Sequence, residues 1–297
     1  MEMPQSGGTW LEVALNGPWP RSRQPRMPVT VKDIIAEGIA CVEAGAAIVQ
    51  VHAYDDATGQ TTQDANVYAA IIEGIRHKVD AIVYPAMPAA TDGGRTAQQR
   101  FAHIEELARR GVIEWAGVDP GSVNFALYDE VIEDKPGSVH LNPEEEVRHA
   151  LKLAMRHRLH PSYGIYEPGF VRLGASLHWR ESCPAPVYRF MFSSGCTFSF
   201  PPEDYALTAY LKLLDQVAPG AQWMVAGTQV DVLPMISRTL AEGGHVRVGL
   251  ADAAFGCALS NLELVERAAG RILDTGGELA NAEAVRVAIS PEEHEAV

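Results

Sequence analysis

No two of the four cysteines, Cys41, Cys183, Cys196 and Cys257, are spaced as C-x-x-C, so neither a zinc knuckle nor a dithiol redox motif is written in this chain. Buried, reduced thiols are what remains. No apolar run approaches the about 18 residues that a membrane-spanning helix needs. The N-terminus has no basic stretch followed by an apolar segment, so a cytoplasmic protein is expected. Walker A, G-x-G-x-x-G, H-E-x-x-H and G-x-S-x-G signatures are missing too, which argues against P-loop or dinucleotide binding, zincin and serine-hydrolase chemistry. Positive charge is scarce: 24 Lys and Arg stand against 38 Asp and Glu, a net charge of −14. A surface of that sign repels polyanions, so nucleic acid and anionic membrane are not expected partners.

What the sequence does have is the material for one large core. Its 297 residues are 47% hydrophobic and 21% charged, an ordinary globular balance. Short runs that read as strands recur at Leu11 to Leu15, Ala46 to Val51, Ala81 to Tyr84, Glu114 to Val118, Ser162 to Tyr166, Val187 to Phe192, Gln222 to Val225 and His245 to Val248. Several are apolar on consecutive residues, as in strands covered on both faces, and amphipathic helical segments separate them. Eight strand–helix units predict a (β/α)8 TIM barrel, one domain over residues 1–297, with a doubly wound open sheet as the structural rival. Thr30 with Asp33 and Thr96 with Gln99 read as capping boxes. Asn142, Pro143 and Glu144 to Glu146 read as an N-cap, a first-turn proline and acids near the positive helix end. Asp129 to Leu141 reads as an excursion after the fourth strand.

In such a barrel the reactive groups sit at the C-terminal ends of the strands and on the loops that follow. That rule selects Asn16 and Trp19 after strand one, Gln50, His52, Tyr54 and Asp55 at strand two, Asp119, Ser122 and Asn124 after strand four, Glu167 after strand five, and Arg247 and Asp252 at strand eight. Alternation along strand two points Gln50, His52 and Tyr54 inward if Ile48 points inward. His52 is the one strong metal donor at that locus, whereas a catalytic zinc takes about three protein ligands. Arg247 and Asp252 flank a Gly-Leu-Ala turn, close enough for the guanidinium to hold a substrate carboxylate, to fix Asp252 as a base, or to form a structural ion pair. Arg21, Arg23 and Arg26 concentrate charge in the first loop, where they suit an anionic ligand or simply face solvent.

Four segments, Leu15-Asn16-Gly17, Glu43 to His52, Gly121 to Phe125 and Gly243 to Leu250, together resemble the β-keto acid cleavage enzyme family, which includes 3-keto-5-aminohexanoate cleavage enzyme. The resemblance covers nearly the whole length. It implies a zinc-dependent barrel that takes a β-keto acid and acetyl-CoA to an acyl-CoA and acetoacetate, and a homo-oligomer. The family pattern His-x-His-x-Arg at strand two is Gln50-Val51-His52-Ala53-Tyr54 here, and Arg-Val-Gly-Leu-Glu-Asp at strand eight has Ala251 in place of its glutamate. Of the implied zinc ligands only His52 remains, while the implied catalytic pair, Arg247 and Asp252, is intact. After strand three, Tyr84 to Pro88 stands where the family has a serine or threonine. Two classes of function follow: an acyl-transferring, carbon–carbon bond-cleaving enzyme with altered or metal-independent chemistry, or a non-catalytic relative that binds a small carboxylate or coenzyme A.

Overall fold

The computed structural model describes residues 7–88 and 96–290. Ten strands occur among them: β1 (Leu11–Ala14), β2 (Ile48–Val51), β3 (Ile82–Pro85), β4 (Trp115–Val118), β5 (Val123–Phe125), β6 (Ser138–His140), β7 (His160–Ile165), β8 (Val187–Phe192), β9 (Trp223–Gly227) and β10 (His245–Val248). Eight of them form one parallel sheet in the order β3-β2-β1-β10-β9-β8-β7-β4, and helices intervene between successive strands. All eight strands expected from the sequence are present, and the sheet curls into a TIM barrel whose first-made strand, β1, pairs with β2 on one side and β10 on the other. The fifth strand starts two residues earlier than its apolar run suggested, because His160 pairs with Trp115 of β4.

β3 and β4 end the hydrogen-bonded ladder and meet at a seam. Gly117 makes this approach possible: a Cβ there would lie 2.7 Å from the backbone nitrogen of Met87. Tyr84 and Trp115 pack across the same seam with ring centroids 5.9 Å apart.

Alternation along the strands divides the apolar residues into two cores. Outward residues such as Val13, Val49, Val118, Phe190 and Val225 pack against the helical layer. Inward residues Trp10, Ile48, Ile82, Trp115, Val187 and Met224 fill the lower barrel, where Val285 and Ile289 of the helix Ala282–Ile289 plug the N-terminal end. Polar groups occupy the upper half instead, so the site lies at the C-terminal mouth.

The excursion after β4 is a β5–β6 antiparallel hairpin with the short helix Tyr128–Ile132 between its strands. Thr96 with Gln99 forms a full capping box, while Thr30 caps through Asp33 N alone. Asn142 is not the N-cap expected. The helix Glu144–His157 is capped at Pro143, and the Asn142 side chain instead accepts from Arg100 Nη2 (2.7 Å) and donates to Gly121 O (2.8 Å).

Two buried histidines give the fold an acid limit. His245 stacks on Trp10, accepts from Trp10 N at Nδ1 (3.1 Å) and meets Gln222 at Nε2 (3.1 Å), which fixes a neutral ring. Burial lowers the His245 pKa to about 3 and that of His103 to about 4. Both values lie below the about 6.5 of an unfolded histidine. This stabilisation is intact above about pH 6.5 and is lost as pH falls toward the folded values, at up to about 1.4 kcal/mol per group and pH unit. The urea midpoint should therefore drop between pH 6.5 and pH 4.5, and His103→Phe should shallow that drop. An unchanged slope in His103→Phe would reject the assignment.

Candidate active site

Where β10 ends, Gly249 turns the chain with φ +136°, and a Cβ at that position would lie 2.2 Å from Ala14 O. A side chain does not fit so close to β1, so this turn depends on glycine. Asn261 clamps the turn from below: its Oδ1 accepts from Leu250 N (2.7 Å) and its Nδ2 donates to Leu15 O (2.8 Å). The result aims Asp252 back at the barrel axis.

There Arg247 donates from Nε to Asp252 Oδ2 (2.6 Å) and from Nη2 to Asp252 Oδ1 (2.8 Å), a two-pronged pair. Its Nη1 donates to Glu12 Oε1 (2.9 Å), which also accepts from the Tyr84 hydroxyl (2.7 Å). Tyr84 in turn meets Ser162 Oγ at 3.0 Å, and Ser162 O accepts from Arg189 Nη2 (3.2 Å). A chain of polar contacts thus crosses the barrel from β10 to β8. Burial works against the Arg247 charge, yet Asp252 and Glu12 hold its pKa well above the usual arginine value. With three donor nitrogens already on carboxylates, Arg247 holds Asp252 and Glu12 in place, an arrangement common to a positioned base and a structural ion pair.

Above this network opens a cavity of about 560 Å³ lined by Trp19, Gln50, His52, Asp119, His140, Tyr166, Arg189, Arg247 and Asp252, among others. The sheet order sets Asp252, after β10, half-way round the barrel from Asp119, after β4, and sets Gln50 and His52 half-way round from Arg189. Burial and the Arg247 charge lower the His52 pKa to about 4, so its imidazole is neutral at pH 7 and not a standing cation. Asp119 Oδ2 is 2.8 Å from His140 Nε2. Burial opposes ionising Asp119, but that hydrogen bond and the nearby charges of His140, Arg189 and Arg100 leave its carboxyl below the usual range.

Other residues selected from the sequence support the mouth without lining the cavity. Asn16 is fully buried; its Oδ1 accepts from His52 N (2.7 Å) and its Nδ2 donates to His52 O (3.0 Å), so it holds the end of β2. Tyr54 does not continue the inward face. β2 ends at Val51, alternation stops there, and Tyr54 packs in the outer core with its hydroxyl donating to Gly17 O. Ser122 Oγ accepts from Asn142 N (2.7 Å), Asn124 is exposed on the hairpin, and Glu167 accepts from Ser199 N (3.3 Å). Asp55 is exposed and caps a turn through Thr58 N (2.8 Å). The arginines of the first loop are engaged: Arg23 with Glu130 (3.4 Å), Arg26 with Glu263 (3.2 Å), and Arg21 with Pro25 O (3.1 Å).

The zinc implied by the resemblance finds no matching donor set. Gln50 and Ala251 stand where the resemblance puts two of its ligands, and among the described residues no group of three His, Cys, Asp or Glu side chains could hold a metal ion.

A family model described as beta-keto acid cleavage enzyme matches residues 9–290. The chain belongs to that family. Among its relatives are a 3-keto-5-aminohexanoate cleavage enzyme of Fusobacterium nucleatum, 27% identical with 91% of this chain and 93% of the relative covered, and a 3-oxoadipate:acetyl-CoA acetyltransferase of Cupriavidus necator, 27% identical with 82% and 79% covered. Apo ObcA has the same barrel, with a TM-score of 0.71 and 16% identity over 89% of this chain; this family member spans only 65% of the ObcA chain. Family membership places the protein among carbon–carbon bond-cleaving acyltransferases.

Proposed function

We propose that the protein converts a β-keto acid and acetyl-CoA into an acyl-CoA and acetoacetate without a zinc ion. The observation that carries this reading is the buried Arg247–Asp252 pair aimed into a cavity at the C-terminal mouth of a family barrel. Asp252 acts as the base, taking a proton from the carbon between the keto and carboxyl groups. The enolate carbon attacks the thioester carbonyl and expels the coenzyme A thiolate. That thiolate attacks the keto carbon, the bond to the former enolate carbon breaks, and the resulting acetoacetate carbanion takes the proton back. His52 and Gln50 supply hydrogen bonds to the oxygen that gains charge. Trp19, whose Nε1 donates to Ala251 O (3.2 Å), closes one side of the cavity. Tyr128, Val131, Ile132, Val139 and Leu141 leave an apolar excursion exposed, which supports assembly as a homo-oligomer, to be checked by sedimentation.

The test is turnover of a panel of β-keto acids, 3-oxoadipate included, with acetyl-CoA, followed by mass spectrometry of both products. Activity should survive EDTA, elemental analysis should find no stoichiometric zinc, and His52→Ala should lower the rate at least about a hundredfold by loss of a preorganised donor. Gln50→His combined with Ala251→Glu should create zinc affinity measurable by calorimetry. Loss of activity on chelation would overturn the zinc-free reading. Tight binding of acetyl-CoA or a small carboxylate without cleavage of any keto acid would favour the non-catalytic relative.

A further inference from the structure

The reaction proposed above asks for positive charge in a particular place. Removing a proton next to the carboxylate of a β-keto acid gives a dianion, carboxylate and enolate together, and a low-dielectric cavity stabilises that species only with a cation or strong donors beside it. Two arginines line the cavity. Arg247 is committed: its three donor nitrogens are on Asp252 and Glu12. Arg189 is not.

Arg189 is 3% exposed in the middle of β8, where the remaining residues Val187, Tyr188, Phe190, Met191 and Phe192 are apolar. Among the described residues its guanidinium makes a single hydrogen bond, from Nη2 to Ser162 O at 3.2 Å, and its Nε is buried without a partner there. It forms no ion pair among the described residues; Asp119 feels its charge, but Asp119 Oδ2 is turned to His140. A buried guanidinium with unsatisfied donors destabilises a fold. Nothing in the packing of β8 requires it.

We infer that Arg189 is the anchor for the substrate's carboxylate, a binding role taken by a protein cation in a site without a metal ligand set. The inference rests on the proposed cleavage of a β-keto acid. A carboxylate placed against Nη1, which is not sealed off as Nε is, and the second hydrogen of Nη2 would form the end-on two-pronged contact open to this planar group. The remainder of a short keto acid then extends across the cavity toward Gln50 and His52 on the opposite wall. The implied substrate class is a small keto acid whose carboxylate is held at β8 and whose keto oxygen lies toward β2.

The test separates binding from turnover by using acetoacetate and its uncharged counterpart acetoacetamide, titrated calorimetrically without any thioester into the wild type, Arg189→Met and Arg189→Lys. Acetoacetate should bind the wild type, at least about tenfold more weakly to Arg189→Met, and at an intermediate level to Arg189→Lys, by the cost of losing one partner of a buried charge contact. Acetoacetamide should bind all three within about twofold. The Tm of Arg189→Met should equal or exceed that of the wild type, since an unpaired buried charge has been replaced by an apolar chain of similar length. The anchor is rejected if Arg189→Met binds acetoacetate as well as the wild type, if it loses both ligands together with a lower Tm, or if the wild type binds neither. Discrimination at Arg189 without formation of a new acyl-CoA from acetyl-CoA and any other keto acid of the panel, since acetoacetate itself only regenerates the starting pair, would reject the cleavage reaction and leave the anchor standing. Turnover with an unchanged KM in Arg189→Met would do the reverse.

Discussion

Asp252→Asn is expected to lower kcat at least about a hundredfold and as much as about ten-thousandfold, the range by which a positioned base accelerates proton transfer. The amide keeps the shape of the carboxylate but cannot take the proton from the keto acid. It still offers an oxygen to Arg247, and Glu12 Oε1 remains on Arg247 Nη1, so the turn after β10 should keep its place. KM should move little, because the proposed anchor of the substrate is the Arg189 guanidinium and not Asp252. Single-turnover rates with saturating keto acid would measure this directly. A variant within tenfold of the wild type would remove Asp252 from the chemistry.

The second large effect is on stability. Arg247, 4% exposed, bridges Asp252 and fully buried Glu12, and Glu12 Oε2 already has no partner. Arg247→Met would leave two buried carboxylates without a cation, and the loss expected is about 3 to 5 kcal/mol in urea denaturation. Arg247→Lys should recover only part, since an ammonium cannot reproduce the two-pronged contact with Asp252. Adding Glu12→Gln to Arg247→Met should restore some of the stability by removing one orphaned charge, a coupling that a double-mutant cycle reads. A loss below about 1 kcal/mol in Arg247→Met would mean that the network does not hold the mouth together.

The barrel was legible because its strands are covered on both faces and therefore read as apolar runs; the mouth was legible because function in this fold gathers at strand ends. Arg247 and Asp252 were found that way, as were Gln50, His52, Trp19 and Asp119. Glu12 and Arg189 were also visible, each a charge inside an otherwise apolar strand, but a sequence does not say which face of a strand looks down the barrel axis. Tyr54 was misplaced because alternation was carried past Val51, where the strand stops. His140 gave no local signal: it reaches Asp119 because the β5–β6 hairpin folds back over the mouth, a long-range pairing of Val123 with His140. Asn142 looked like a cap until Arg100, from a distant helix, took its side chain.

The neighbours of β1 set a problem for the chain while it is being made. β1 is made before the other seven strands of the barrel, yet its partner on one side is β10, and the helix that seals the lower barrel, Ala282–Ile289, follows later still. Until then the nascent chain is an open sheet whose β1 and β9 edges are bare and whose inner core of Trp10, Ile48, Ile82 and Trp115 is uncovered at its base. Such an edge is a template for pairing with other strands, and such a base is sticky. Closure therefore waits for β10 and the helix after it, and it is in that interval, more than in the finished barrel, that the chain is open to wrong pairing.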